Sequence, residues 1–302
     1  MNVLIVFAHP ERKSFNGGLA DVARESFQAK GYKVEFDDLY QEGFDPVERA
    51  EHYTERVDKA YFAPLTEQRA HYERGPLAPE IQREISRLEW ADLVIFQFPL
   101  WWHSQPAILK GWFDRVLVYG GLYSGSRRYN RGHFRGKRAM LSVTTGSPEQ
   151  AFMPFGRAGN MVEWLWPIHS SLYYVGFDVL PPQVSYGIQG GGIRYEDESR
   201  FRAQLEQKKT LWEKRLQGLF NEPPIPFTGW EDWDENGMLQ QTHPMRWRLL
   251  IDELITLSFT IRSCRLSEQR RTHSRLNVSN PVRVASMEHE YPCNCRKDNS
   301  LA

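Results

Sequence analysis

Residues 3–7 are five consecutive apolar side chains, Val-Leu-Ile-Val-Phe, and residues 93–96, Leu-Val-Ile-Phe, repeat the pattern. A strand with one wet face alternates apolar and polar residues. An uninterrupted apolar run needs cover on both faces, which is the environment of a central strand in a parallel sheet wrapped by helices. Helical periodicity appears between the runs. Leu19, Val22, Ala23 and Phe27 share one face of a helix expected over 16–30, with Ser14 as its N-cap and Gly31 as its stop. Further helices are expected over 79–88, 105–118, 160–174 and 199–219, the last with Phe201, Leu205, Trp212, Leu216 and Leu219 on one side. Strands are expected over 32–36, 92–97, 137–144 and 178–185. Residues 40–78 read as a polar, irregular excursion too long for a plain connector. This alternation predicts an α/β doubly wound parallel sheet with helices on both faces. Such sheets bind ligands beyond the carboxyl ends of their strands, here the loops 8–16, 98–104 and 144–159.

Composition narrows the partners. The 302 residues carry 38 basic and 38 acidic side chains, so no basic excess points to nucleic acid. No run of about 18 apolar residues suggests a membrane span, and the N-terminus reads as a strand rather than a signal peptide. With only 3 Cys, a disulfide framework is not expected and a reducing, cytoplasmic setting is. The 10 Trp hint at flat, π-rich ligands, although large core residues explain most of any such excess.

The first loop, AHPERKSFN, has no glycine, which removes both the dinucleotide fingerprint and the P-loop. What remains is a helix N-terminus with His9, Arg12, Lys13, Ser14, Phe15 and Asn16 around it. Backbone amides there suit a phosphate or diphosphate; alternatively Ser14 only caps the helix and His9 only packs. In the second loop, Pro99 is expected to end the strand pairing. Leu100, Trp101, Trp102 and His103 follow, either a platform for a planar heteroaromatic ring or a hydrophobic lid. In the third, Thr144, Thr145 and Gly146 offer hydroxyls and a flexible turn to a ligand's polar edge, or make an ordinary turn.

Together the segments resemble the NAD(P)H dehydrogenase (quinone) family, flavodoxin-like flavoproteins of the DT-diaphorase type. The matching stretches are VFAHPERKSFN at 6–16, Asp38-Leu39-Tyr40, residues 77–81, ADLVIFQFPLWW with PAILKGWFDRV within 91–116, SVTTG at 142–146, and LWPI with GFDVLPP within 165–182. They run in order across roughly the first 220 residues. The resemblance implies a five-stranded sheet of order 2-1-3-4-5 and a cytoplasmic homodimer whose active site is shared between subunits. It also implies bound FAD (FMN is the lesser alternative) and two-electron ping-pong hydride transfer from NAD(P)H, through flavin N5, to a quinone. By position it assigns His9, Ser14, Phe15 and Asn16 to the diphosphate, and Pro99, Leu100, Trp101, Trp102 and His103 to the flavin platform. Thr144, Thr145 and Gly146 fall at the flavin edge, and Tyr123 at the wall of the nicotinamide and quinone pocket.

This chain also departs from the pattern. Phe152 and Ala158 stand where the family has its charge-relay Tyr and His. Gly125 replaces the second aromatic of the substrate pocket, and Ala63 replaces a glutamine near the adenosine. Charge appearing at the flavin N1/C2 edge needs a donor or cation nearby, and Arg157 is the neighbouring cation; it reads equally as a solvated loop residue. The departures keep two other readings open: an NAD(P)H-dependent azo or nitro reductase, and a regulatory flavoprotein subunit of a potassium-efflux-type membrane partner.

The catalytic domain is expected over 1–220, followed by a Pro- and Trp-rich arm over 221–248 and a poorly ordered tail over 249–302. Residues 247–261 read as an amphipathic helix or a frayed extension. No metal site is expected: Cys293, Cys295 and His289 fall short of a four-ligand zinc set, and Glu231, Asp232, Asp234 and Glu235 read as a solvated acidic face. Asn277-Val278-Ser279 is read as a chance glycosylation match, and Gly190, Gly191 and Gly192 as a flexible turn.

Overall fold

The computed structural model describes residues 1–75, 77–188 and 197–240. The chain divides into two units, Met1–Ile251 and Asp252–Ala302, the second of which lies wholly outside the described residues. The expectations for Gly190, Gly191 and Gly192, for residues 247–261, for Asn277 to Ser279 and for the cysteines also lie outside them.

The apolar runs become β1 (Asn2–Phe7) and β3 (Leu93–Pro99), flanked by β2 (Lys33–Asp38) and β4 (Arg138–Thr144). Every pairing is parallel, and the order is β2-β1-β3-β4-β5, the expected 2-1-3-4-5 arrangement. The fifth position holds two short strands where the sequence suggests one. Asp178–Val179 (β5) pairs with the start of β4 and Gln183–Ser185 (β6) with its end. Pro181 and Pro182 lie between them and supply no amide hydrogens to the ladder. Pro99, expected to end the pairing of β3, is instead its last paired residue, opposite Thr144.

Among the described residues the α-helices are α1 (Phe15–Ala29), α2 (Pro64–Arg74), α3 (Pro79–Trp90), α4 (Ala107–Val116), α5 (Met161–Tyr174) and α6 (Glu198–Leu216). Period-2 alternation sends Leu4 and Val6 to one face with Ile85, Leu109 and Leu165, and Val3, Ile5 and Phe7 to the other with Leu19, Phe27 and Trp212. The two cores confirm the doubly wound reading. Trp212 is fully buried, and its indole N–H donates to the Leu19 carbonyl at 3.1 Å, joining α6 to α1.

The excursion over 40–78 is less irregular than expected, because it contains α2. Its buried residues are Glu67, Gln68, Ala70 and His71, so it has no apolar stripe for periodicity to detect. Pro64 and the acidic Glu67 in the first helical turn are start signals, but weak ones without periodicity behind them. Gln68 then fixes the neighbouring chain, donating to the Asp114 carbonyl at 3.2 Å and accepting from the Tyr119 amide at 3.1 Å.

Candidate active site

The carboxyl ends of β1, β3 and β4 bring the three loops together. Asn16, buried in the first turn of α1, donates from Nδ2 to Thr144 Oγ1 at 2.8 Å and accepts from Gln97 Nε2 at 2.9 Å. Both of its side-chain ends are therefore committed inside the protein, and its backbone amide is what it can offer a ligand. Ser14 caps α1, its Oγ accepting from the Gly17 amide at 3.2 Å, while the Phe15 and Asn16 amides have no intrahelical acceptor. The loop before the helix folds so tightly that a Cβ on Gly17 would collide with the Arg12 carbonyl. His9 Nδ1 lies 2.9 Å from the Glu11 amide and 3.0 Å from the Glu11 carbonyl; in the tautomer that accepts from the amide, Nε2 is the donor. Burial holds its pKa below the usual value against the opposing pull of Glu11, so the ring is neutral at pH 7. Arg12 turns elsewhere to pair with Asp21, and the Lys13 backbone amide donates to the Glu11 carboxylate.

The second loop is a tight turn in which Trp101 and Ser104 exchange backbone hydrogen bonds at 3.0 and 3.1 Å. Trp102 (φ 49°) and His103 (φ 62°) occupy its two centre positions, both left-handed, where glycine or asparagine is usual. The turn lifts the Trp102 ring into solvent at 95 % exposure, far from the behaviour of a lid residue. Trp101 lies 5.9 Å from the His9 ring, and His103 stacks on Trp164 at 4.3 Å. Leu100 is half-buried, its amide bonded to the Thr144 carbonyl at 2.9 Å.

The third loop is stitched to the segment after β6. The Thr145 amide donates to Ser185 and its carbonyl accepts from Ile188, while the Thr145 hydroxyl donates to the Ser147 carbonyl at 3.0 Å. Thr144 and Thr145 are buried and Gly146 is exposed. A neutral donor and free amides at a helix terminus, a flat indole surface and an exposed glycine turn form a donor set that fits a phosphate joined to a planar heterocycle. In the same loop Phe152 is buried 5.9 Å from Tyr186, and Ala158 is half-buried with its amide donating to Ala151. Neither can donate a side-chain proton. Arg157 is exposed beside them.

Tyr123 stands on the wall of a separate cleft of about 490 Å³ that also takes in Ser104, Gln105, Lys110 and Tyr174. Its ring meets Tyr174 edge-on at 5.5 Å, and burial raises its pKa. Sequence reasoning found Tyr123 but missed Tyr174 and Arg128, which donates to the Tyr174 hydroxyl at 3.1 Å. They come from different elements, and no local spacing relates them.

A family model described as a flavodoxin-like fold matches residues 1–209. NAD(P)H dehydrogenase (quinone) 1 of Rattus norvegicus is 42% identical over 226 residues, 74% of this chain and 79% of the relative. The chain belongs to the NAD(P)H dehydrogenase (quinone) family. Within that family, the ribosyldihydronicotinamide dehydrogenase (quinone) of Homo sapiens is 40% identical over 228 residues, 75% of this chain and 95% of the relative. Among solved structures, a candidate quinone reductase from Klebsiella pneumoniae superposes with a TM-score of 0.71 at 36% identity, covering 80% of this chain and 94% of that one. Membership makes the chain an enzyme family's member rather than a binding module, and no helix among the described residues is long and apolar enough to cross a membrane.

One further acidic group lies away from these loops. Asp37, Glu42 and Glu84 bring carboxylate oxygens within 4.8 Å of one another. Arg87 already bridges all three, at 3.0, 2.9 and 2.8 Å, and Arg83 pairs with Glu42 at 2.8 Å. Two guanidiniums thus supply the counter-charge that a cation would bring. Burial, then a hydrogen bond to Glu84, pushes the Asp37 pKa up to about 9.

Proposed function

We propose that the protein is an FAD-dependent NAD(P)H:quinone oxidoreductase working as a cytoplasmic homodimer, with each active site shared between subunits. The observation that carries this reading is the convergence of the exposed Trp102 turn with the open N-terminus of α1, where the neutral His9 adds a donor. The activity in the names of the relatives supports it. FAD supplies two-electron chemistry, accepting hydride from NAD(P)H and passing it to the quinone. His9 Nε2 and the Phe15 and Asn16 amides would hold the diphosphate. Trp101 and Trp102, with the His103 turn, would carry the ring, and Gly146 with Thr145 would meet its polar edge. Phe152 and Ala158 leave that edge without a side-chain donor, and we assign the compensating cation to Arg157.

The reading is tested on the purified protein. Heat release and chromatography identify the bound flavin, and anaerobic stopped-flow follows its bleaching by NADH or NADPH and its reoxidation by 1,4-benzoquinone. Rapid reduction and rapid reoxidation are expected, and FAD should be released. Arg157→Ala should slow reduction by about tenfold or more while flavin content stays full. A protein without flavin would overturn the reading. A flavoprotein that NAD(P)H reduces only sluggishly would favour the regulatory alternative, which the loss of both side-chain donors at 152 and 158 would suit.

A further inference from the structure

Arg128 is a half-buried cation enclosed by rings. Its guanidinium carbon lies 5.1 Å from the Trp230 ring centroid and 5.7 Å from those of Tyr129 and Tyr174. Among the described residues its buried Nε has no acceptor, and its one side-chain hydrogen bond is from Nη1 to the Tyr174 hydroxyl at 3.1 Å. Among the described residues no carboxylate pairs with it, unlike Arg87, Arg115 and Arg131, which pair with Asp37, Glu80 and Glu231. A cation that loses part of its water shell is stabilised by a counter-charge or by other polar partners. Here aromatic faces and one phenol oxygen take that place.

The packing around this pair is specific. A Cβ on Gly132 would collide with Gly176, so the turn Tyr129–Arg131 lies directly against the end of α5. The Trp230 amide donates to Asn130 Oδ1 at 2.8 Å, bringing the C-terminal arm over the guanidinium.

The consequence lies in the proton count of a phenol. Its oxygen has one proton and two lone pairs. Because a lone pair of Tyr174 accepts from Arg128, its own O–H proton cannot point back at the guanidinium. Tyr174 lines the cleft that also holds Tyr123. We propose that Tyr174 is a hydrogen-bond donor to a carbonyl oxygen of the electron acceptor in this cleft, with Arg128 as the positioning residue that fixes the direction of the hydroxyl. This rests on the quinone-reductase reading and deepens it. Reduction of a quinone takes one hydride, which NAD(P)H supplies as it becomes NAD(P)⁺, and one proton from water, giving the hydroquinone. Between the two arrivals the oxygen carries negative charge, which a donor backed by a guanidinium stabilises. Phe152 and Ala158 offer no such donor, and Tyr174 supplies one from another element.

The test compares 1,4-benzoquinone with ferricyanide, an acceptor that has no carbonyl oxygen, on the flavin-loaded protein. Tyr174→Phe removes one oxygen and keeps the ring. It should lower kcat/KM for benzoquinone about tenfold and lower ferricyanide reduction, which needs no donor to a carbonyl, by far less. Arg128→Met should act in the same direction, and Arg128→Lys should restore part of the loss. In the Tyr174→Phe background Arg128→Met should add nothing, as two residues acting through one hydroxyl require. Equal losses with both acceptors, additive losses in the double variant, or no loss at all would overturn the proposal. Failure of the unsubstituted protein to reduce benzoquinone would instead overturn the quinone-reductase reading on which it rests.

Discussion

The proposed phosphate end of the site comes from one continuous stretch, residues 9–17, whereas the proposed acceptor wall takes Tyr123 and Tyr174, with Arg128 bonded to Tyr174 and Trp230 over Arg128, from three separate stretches of the chain. At the phosphate end the side chains mostly serve the backbone. Ser14 caps, Asn16 braces β3 and β4, and Arg12 pairs with Asp21, so that amides and one imidazole edge are left for the proposed ligand. At the acceptor wall the side chains are themselves the surface, and backbone contacts between Gly132 and Gly176 hold them in place. A site made of backbone is fixed by local conformation, and one made of side chains by tertiary packing. The two should fail differently when altered.

The largest effect is expected from breaking the backbone-built end. In Gly17→Val the new Cβ meets the Arg12 carbonyl, which belongs to the main chain and cannot swing aside. The loop 9–14 must move, and the amides and His9 Nε2 lose their common focus. Flavin affinity should fall on the order of 100-fold, equivalent to ~3 kcal/mol of misfit, and the protein should purify largely free of flavin while its circular dichroism is unchanged. Retention of full flavin content by this variant would show that the ligand is not held at the terminus of α1.

This contrast also explains what could be read from the sequence. The strand order came only from the resemblance, whereas the alternating strands and helices of a doubly wound sheet, the Ser14 cap and the three ligand loops follow from runs, periodicities and breakers that lie within a dozen residues of each other. Helix α2 did not, because Glu67, Gln68 and His71 are buried by pairing rather than by apolarity. The break at Pro181 and Pro182 was visible as two prolines, but whether both flanks still pair with β4 depends on the sheet. Asn16 read as a ligand contact, and only its neighbours Gln97 and Thr144 show that its side chain is a brace. Arg128 and Tyr174 carry no signal at all until the chain is folded.

Asp37 extends that lesson to charge. In sequence it is one of two aspartates closing β2, indistinguishable from a solvated residue, and in the fold it is buried against Glu84 and Arg87. Its pKa is raised, from an ordinary value of 3.8 to about 9, with desolvation as the first cause. The folded state therefore holds a proton that the unfolded chain releases, and this contribution to stability is full below pH 3.8 and lost as pH rises through about 9. Asp37→Asn keeps a neutral hydrogen-bonding group there and removes the titration. Thermal melts at steps from pH 5 to 9 should show Tm falling with pH less steeply in the variant than in the parent, with the curves furthest apart at the alkaline end. Parallel curves would mean that Asp37 is ionised in the fold, with Arg87 outweighing its burial.

The smallest effect is expected where the side-chain-built end is clasped from outside. Tyr173, next to Tyr174 on α5, stacks on Phe227 at 4.4 Å with the ring planes 12° apart, and its hydroxyl donates to the Thr228 carbonyl at 2.9 Å. Burial pushes its pKa up to about 12, so the proton stays on the oxygen throughout the working range. Tyr173→Phe keeps the stack and deletes the hydrogen bond, a loss of ~1 kcal/mol that should lower Tm by about 2–4 °C. The arm remains tied through the Trp230 amide on Asn130, so Trp230 should stay over Arg128. Quinone kcat/KM should then change less than about twofold, in contrast to the effect of Tyr174→Phe at the adjacent position. A large loss of quinone reduction in Tyr173→Phe would show that the arm holds the acceptor wall through this single bond, and that the direction of the Tyr174 hydroxyl is set by the clasp and not by the guanidinium.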